Sequence, residues 1–258
     1  MTPSAPLDRR TFLRATGAAA VAASLAGCTQ MSTSGGDDDT VLSPPENHDR
    51  IKNADLPHPI YGEAIPEATV PAPLHDRSVT TTEFTGDRHV MLTFIYTSCT
   101  TVCPGLTAAL RRVQADARER GYGDEIAFLT TTFDPEYDTA EVLQEYGEKH
   151  GVDYDAGNWY FLRPETPEDA RAVVEDTFGV AFEQGGDSGG MGGDSMNSTN
   201  STDGGMNESE HGDHARHFVH TSLILLVNRD GVVERAYTGG SPPGNDILED
   251  ARAVVEGW

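Results

Sequence analysis

Cys99 and Cys103, four positions apart, are the residues of this chain best suited to carry chemistry. Ahead of them, Val90-Met91-Leu92-Thr93-Phe94-Ile95-Tyr96 is almost wholly apolar and β-prone, the pattern of a central strand covered on both faces. Behind them, Pro104 suits the first turn of a helix, so Cys99 falls in the turn after a buried strand and Cys103 directly precedes the helix. Unpaired amides and the helix dipole at such an N-terminus favour thiolate over thiol. Two thiolates can exchange with a disulfide, or they can bind a soft ion, copper(I) or zinc, in preference to hard cations. A third use, an inert staple, would stabilise weakly, because a bridge across so short a loop removes little unfolded-state entropy.

The elements that must position this pair follow from periodicity. Leu106, Ala109, Leu110, Val113 and Ala117 share one face of the helix after Pro104, and Gly121 ends it. A second strand is predicted over 125–132. Asp138 with Glu141 has the spacing of a capping box, opening a helix that turns Val142, Leu143 and Tyr146 to the core. Trp159-Tyr160-Phe161-Leu162 is a third strand, and Thr166-Pro167 opens a helix packed through Ala170, Val173, Val174 and Phe178 and closed by Gly179. Pro57, Pro59, Pro66, Pro71 and Pro73 exclude regular helix and predict extended chain over 55–77. Residues 221–227 form a hairpin with 232–237 through Asn228-Arg229-Asp230-Gly231, and Ile247, Leu248, Ala251, Val254 and Val255 mark a last helix. This order is an α/β fold: a mixed central sheet, parallel at its core and antiparallel at one edge, flanked by helices.

The chain carries 18 basic and 42 acidic residues, a net charge of −24, and Lys52 and Lys149 are its only lysines. Such a surface repels phosphate backbones and anionic headgroups, which argues against nucleic-acid binding and electrostatic adsorption to membranes. It also stays soluble when salt screens charge repulsion, so the composition points to a halophilic cell. Arg9-Arg10-Thr11-Phe12-Leu13 precedes an uncharged run over 15–27, too short and alanine-rich to span a bilayer, and residues 1–27 are expected to be a cleavable signal peptide. The arginine pair resembles the motif of the twin-arginine route, which exports folded proteins. Leu25-Ala26-Gly27-Cys28 resembles a lipobox, which would put a lipid on Cys28 and anchor the mature protein at the extracytoplasmic face of the cell membrane. The alternative is a plain signal with an incidental cysteine. Residues 28–50 are then expected as a flexible acidic tether and 51–258 as the folded domain. With Cys28 lipidated, Cys99 and Cys103 remain as one pair.

Residues 185–216 interrupt the domain with a stretch rich in Gly, Ser, Thr, Asn and Asp, whose composition predicts a disordered insertion. It carries Met191, Met196 and Met206, then His211, His214 and His217, a three-residue spacing that His220 continues. Thioethers and imidazoles bind copper, so a mobile arm could collect the ion and pass it inward; a solvated loop with incidental methionines is the alternative. Asn197, Asn200 and Asn207 head glycosylation sequons.

Three motifs recur in consistent order over about residues 60–258: Thr93-Phe94-Ile95-Tyr96-Thr97-Ser98-Cys99-Thr100-Thr101-Val102-Cys103-Pro104, then Thr132-Phe133-Asp134-Pro135-Glu136-Tyr137-Asp138-Thr139, then Val219-His220-Thr221-Ser222. Together they resemble the Sco/SenC family, here as a haloarchaeal-type exported lipoprotein. The resemblance implies a thioredoxin-like fold and copper held by Cys99, Cys103 and His220. It also implies a partner, subunit II of a membrane cytochrome oxidase, whose dinuclear copper centre the protein would help assemble. Thr100 departs from the proline that many members carry. His220 stands just before a strand, where thioredoxins carry a proline facing the cysteines; proline offers no ligand and imidazole does. A Cys₂His set leaves copper three-coordinate or open to a fourth ligand, which suits an ion that must be handed on. Two rival readings use the same residues. Thr100-x-x-Cys103 fits half of a peroxiredoxin loop, but Tyr96 stands where its proline belongs. A metal-free thiol-disulfide reductase would cycle Cys99 and Cys103 between dithiol and disulfide, and copper uptake by the dithiol separates it from a chaperone.

Overall fold

The computed structural model describes residues 39–184 and 218–258. The expected signal peptide, Cys28, the sequons at Asn197, Asn200 and Asn207, the methionines Met191, Met196 and Met206, and His211, His214 and His217 lie outside the described residues.

After a one-turn helix α1 (His48–Ile51), strands β1 (Thr69–Ala72) and β2 (Arg77–Thr80) pair antiparallel. Three strands, β3 (His89–Ile95), β4 (Ile126–Thr132) and β5 (Trp159–Leu162), run parallel, with α2 (Cys103–Arg120) and α3 (Ala140–His150) as their crossovers. A short helix α4 (Pro167–Ala170) leads to β6 (Phe182–Gln184), which pairs antiparallel with β7 (Phe218–His220) outside the main sheet. The hairpin β8 (Leu223–Val227) and β9 (Val233–Thr238) completes that sheet in the order β5-β4-β3-β8-β9, and α5 (Asp246–Glu256) follows. This is the mixed sheet flanked by helices that the sequence predicts. Every residue of β3 and β4 is buried, because helices cover both faces, and β3 lies at the centre between a parallel and an antiparallel neighbour. Among the described residues no helix is long and apolar enough to cross a membrane.

Four local expectations are corrected. The stretch 39–50, expected within a tether, docks on the fold: the amides of Val41 and Leu42 donate to the two carboxylate oxygens of buried Glu234 at 2.7 and 2.9 Å, and Tyr61 donates to the Leu42 carbonyl at 2.6 Å. Asn228 donates to the same carboxylate, and Val41 and Leu42 pack against the core, so the contact joins residues far apart in the chain and leaves no local pattern in the sequence. The proline-rich stretch 55–77 is extended over β1, as expected, but then departs from it in a single 3₁₀ turn at Pro73–His75 and a reversal at Asp76, whose φ is 51°. Thr139, not Asp138, caps α3 by accepting from the Val142 amide at 3.3 Å. Finally, the helix opened by Thr166 widens into a π-helix over Arg171–Thr177, buried at Ala170 and Val174.

Gly179 ends that helix with φ +67°, and a Cβ there would collide with the carbonyl of Pro57. The segment around Pro57 therefore packs backbone against backbone on the turn that leads to β6. We expect Gly179→Ala to destabilise the protein by about 2 kcal/mol or more, from the left-handed backbone and the collision together, read as a lower urea midpoint.

His89, at the start of β3, is fully buried with the Trp258 ring edge-on at 5.8 Å, and neither ring nitrogen has a hydrogen-bond partner among the described residues. Burial, helped by the nearby charge of Arg229, pushes its pKa down to about 4 from 6.5. The unfolded chain thus binds a proton that the folded one refuses, and stability falls as the pH drops from 6.5 towards 4. His89→Leu should remove roughly 3 kcal/mol of that loss, measured as the difference between the two proteins' unfolding free energies at pH 7 and pH 4.

Candidate metal centre

The centre is built where β3 gives way to α2. Beyond Ile95 the chain turns, and the Cys99 amide donates to the Tyr96 carbonyl at 3.2 Å. The turn is held from below by Asp138, which is fully buried. Its carboxylate accepts the Thr97 amide at 3.1 Å and the hydroxyls of Thr97 and Thr132. Ile95 and Thr132 are register partners, so one carboxylate ties together the ends of the two central strands. Burial raises its pKa to about 6 against the opposing hydrogen bonds of Thr132 and Thr97, with Asp134 adding repulsion. Sequence reasoning placed Asp138 at a helix cap and missed this role. The motif Asp134-Pro135-Glu136-Tyr137-Asp138 was a signal for it, since a helix start with Thr at the cap does not also need the acid.

Cys103 is the first residue of α2 and has no exposed surface; Cys99 is 5% exposed. Neither is in a disulfide. The Cys103 amide, one of the unpaired donors of the helix start, donates to Cys99 Sγ at 3.5 Å, and the Thr101 hydroxyl lies 3.5 Å from the same sulfur. The two thiols consequently part. Hydrogen bonding from Cys103, then from His220 and Thr101, holds Cys99 far below the ordinary thiol range despite burial. Cys103 is driven up by its bond to Cys99 and by burial. Of the two, Cys99 is thus the thiol that these surroundings favour ionising first.

His220 arrives from the other side, as the last residue of β7. Its seat is aromatic: Phe133 lies 5.1 Å from its ring, Tyr96 meets it edge-on at 5.7 Å, and Phe182 stacks on Phe133 at 4.9 Å. The Phe218 amide donates to the Tyr96 hydroxyl at 3.4 Å, and the Thr221 amide donates to the Ala181 carbonyl at 3.0 Å. The pairing of β6 with β7 was not predicted from sequence, because each strand has three residues and 33 intervene. The aromatic residues Phe182 and Phe218, each opening its strand, were the available signal.

His220 Nδ1 lies 3.0 Å from the Thr221 carbonyl, which can only accept. Nδ1 thus keeps its proton in either charge state, and Nε2, 3.7 Å from Cys103 Sγ, is the nitrogen that donates while the ring is charged and offers a lone pair once it is neutral. Burial opposes a charged imidazole, but the hydrogen bond and charge of Cys99 and the Thr221 carbonyl outweigh it and raise the pKa. The ligand atoms of Cys99, Cys103 and His220 all lie within 4.8 Å of one another. The three residues expected to act together are thus brought together, and two thiols with one imidazole fit a soft ion such as copper(I) or zinc.

The SCO1/SenC family profile matches residues 74–256. A curated relative, the SCO1 protein homolog of Bacillus subtilis (strain 168), is 22% identical over 162 residues, covering 62% of this chain and 68% of its own. Among solved structures, the SCO1/SenC family lipoprotein of Bacillus anthracis str. Ames is similar at 21% identity with a TM-score of 0.54, covering 74% of this chain and 95% of that one. BsSco, described as having a disulfide switch and as a member of the Sco family of cytochrome c oxidase assembly proteins, matches at 20% identity and TM-score 0.50, over 76% and 94% of the two chains. ScoI of Arabidopsis thaliana, solved with copper bound, matches at 14% identity and TM-score 0.52, over 78% and 100%. The fold is thioredoxin-like, as the motifs implied.

The split between the two thiols has a direct readout. At pH 5 a small alkylating reagent should label one cysteine of the reduced protein, and peptide mass spectrometry should place the label on Cys99. His220→Ala removes one of the hydrogen bonds that favour the thiolate, so it should shift the pH dependence of this reaction upward.

Proposed function

This chain belongs to the SCO1/SenC family, and on that premise we propose that it is a copper chaperone that binds one ion through Cys99, Cys103 and His220 and delivers it to the dinuclear copper centre of cytochrome oxidase subunit II. The observation that carries the reading is the convergence of two sulfurs and one imidazole within 4.8 Å, from positions 99, 103 and 220 of the chain. In the same proposal the protein works at the extracytoplasmic face of the membrane, exported folded and held by a lipid on Cys28. The copper-bound Arabidopsis relative and the oxidase-assembly role ascribed to BsSco support the assignment of cargo and destination.

The chain's own groups set how the ion is taken and released. Cys99 is ready as thiolate, whereas Cys103 must give up its proton and His220 must be neutral at Nε2. Uptake therefore releases protons and strengthens as the pH rises. The Asp138 clamp and the aromatic seat keep the donors in place without filling a fourth position, so a recipient's ligand can bind before the chaperone's ligands leave. Transfer is then ligand exchange with no change of oxidation state.

A second reading is favoured by the one-thiolate, one-thiol pair. Cys99 thiolate can attack a target disulfide, and Cys103, once deprotonated, can then attack the Cys99 sulfur, leaving the target as a dithiol and this pair as a disulfide. Such a step would prepare the cysteines of a copper-receiving site.

Reduced protein should take up one tightly held copper ion, and Cys99→Ser or Cys103→Ser should abolish tight binding, as read by bound stoichiometry in a titration against a competing chelator. Oxidation joins the two sulfurs and removes the thiolates, so the oxidised protein should exclude copper. Stoichiometric copper retained by the double serine variant or by the oxidised form would overturn the assignment.

A further inference from the structure

A cavity of about 570 Å³ opens beside the metal centre, and His220 and Val102, the neighbour of Cys103, form part of its wall. Among the described residues that line it there is no carboxylate, ammonium or guanidinium group, so no charged partner reaches His220 from that side. The ring's bond to the main chain is with the carbonyl of Thr221, its own neighbour, which orients the ring but moves wherever the strand moves. That strand, β7, lies outside the main sheet and has β6 as its paired neighbour. The separation of Nε2 from the two sulfurs therefore depends on a tie between β7 and the turn that carries Cys99.

Tyr96 makes that tie. It directly follows β3 and is buried. Its carbonyl accepts the Cys99 amide at 3.2 Å, which fixes one end of the tie to the turn. Its ring meets those of Phe218 and His220 edge-on at 5.0 and 5.7 Å, and its hydroxyl oxygen accepts the Phe218 amide at 3.4 Å, two residues before the ligand. Accepting that amide leaves the hydroxyl its own proton to donate. Burial first, and then the charge and hydrogen bond of Cys99, push the phenol up to about 12 against the opposing Phe218 amide, so it keeps this proton beside the sulfur.

We propose that Tyr96 is a positioning residue of the metal centre: its hydroxyl holds the strand of His220 against the cysteine turn, so that imidazole and sulfurs stand in place before the ion arrives. This rests on the copper-chaperone reading and adds to it a residue that is not a ligand. A phenylalanine would fill the same ring position, so the role belongs to the hydroxyl alone. Without it the rings still touch, but the Phe218 amide loses its acceptor and β7 is freed to move relative to Cys99. Ordering the three donors then falls to the binding step, at a cost in affinity. Tyr96 acts on the ion only through His220.

The test compares Tyr96→Phe with the parent and with Tyr122→Phe, which loses a similar buried hydroxyl bond, to Asp116 at 2.6 Å, beyond the far end of α2. In the reduced, metal-free chain, Tyr96→Phe should speed amide exchange at Phe218 by about tenfold relative to the residues of β3, and Tyr122→Phe should not. Copper(I) titrated against a competing chelator should bind Tyr96→Phe about three- to tenfold more weakly and Tyr122→Phe as it binds the parent. Because the effect passes through His220, adding Tyr96→Phe to His220→Ala should weaken binding no further. Parent-like exchange at Phe218, parent-like affinity, or a loss of affinity undiminished in the His220→Ala background would overturn the positioning role and leave the chaperone reading intact. A reduced parent protein that takes up no copper would instead overturn that reading, and exchange at Phe218 would still decide whether Tyr96 ties β7 to the turn.

Discussion

The contact on which the centre depends is that of the His220 ring with Phe133 and Tyr96. Cys99 and Cys103 are neighbours in sequence, and their meeting at a helix start is a local event. Bringing in an imidazole 117 residues further along is not. That closure is held by aromatic burial: Tyr96 extends β3, Phe133 follows β4, and Phe182 and Phe218 come from the small ladder that carries His220. Such clustered rings contribute beyond their buried area and fix a mutual geometry. The ladder is thereby attached to the ends of the two most buried strands, and the rigidity of the core is passed to a ligand outside the main sheet.

A different force works on the sulfur side. Asp138 is buried as a carboxylate acceptor, at a cost visible in its pKa of about 6, and gathers three donors from the ends of β3 and β4. The turn that follows cannot relax without leaving that acid unsatisfied. Above it the helix start gives its free amide to one sulfur only, which makes the two thiols unequal. Unequal thiols serve both ion uptake and disulfide exchange, so the same electrostatics underlie both readings of the function.

The main sheet and its helices were legible because their signals are local and redundant. Runs such as Val90-Met91-Leu92, the apolar face from Leu106 to Ala117, and Gly121, which adopts φ +84° after its helix, each report on one element without help from elsewhere. The cysteine pair was legible for the same reason, and His220 through the spaced motifs. What was not legible depends on distant partners. The ladder of Phe182 with His220 spans an insertion, the docking of Val41 and Leu42 joins their amides to a carboxylate more than 190 residues away, and Asp138 mimics a cap while serving a turn 41 residues away.

The electrical neutrality of the cavity wall separates two steps that are usually coupled. A molecule of net charge −24 draws cations from solution, but that attraction weakens with added salt and at physiological ionic strength reaches only about 8 Å. Among the described residues, Val102, Thr221, Ser222 and the glycines that line the cavity beside His220 bring no charged side chain to it. In the proposed function, encounter with the ion would therefore be tuned by salinity, and the exchange of ligands at bonding distance far less so. A change of salinity would then alter how often an ion arrives more than how it is passed on.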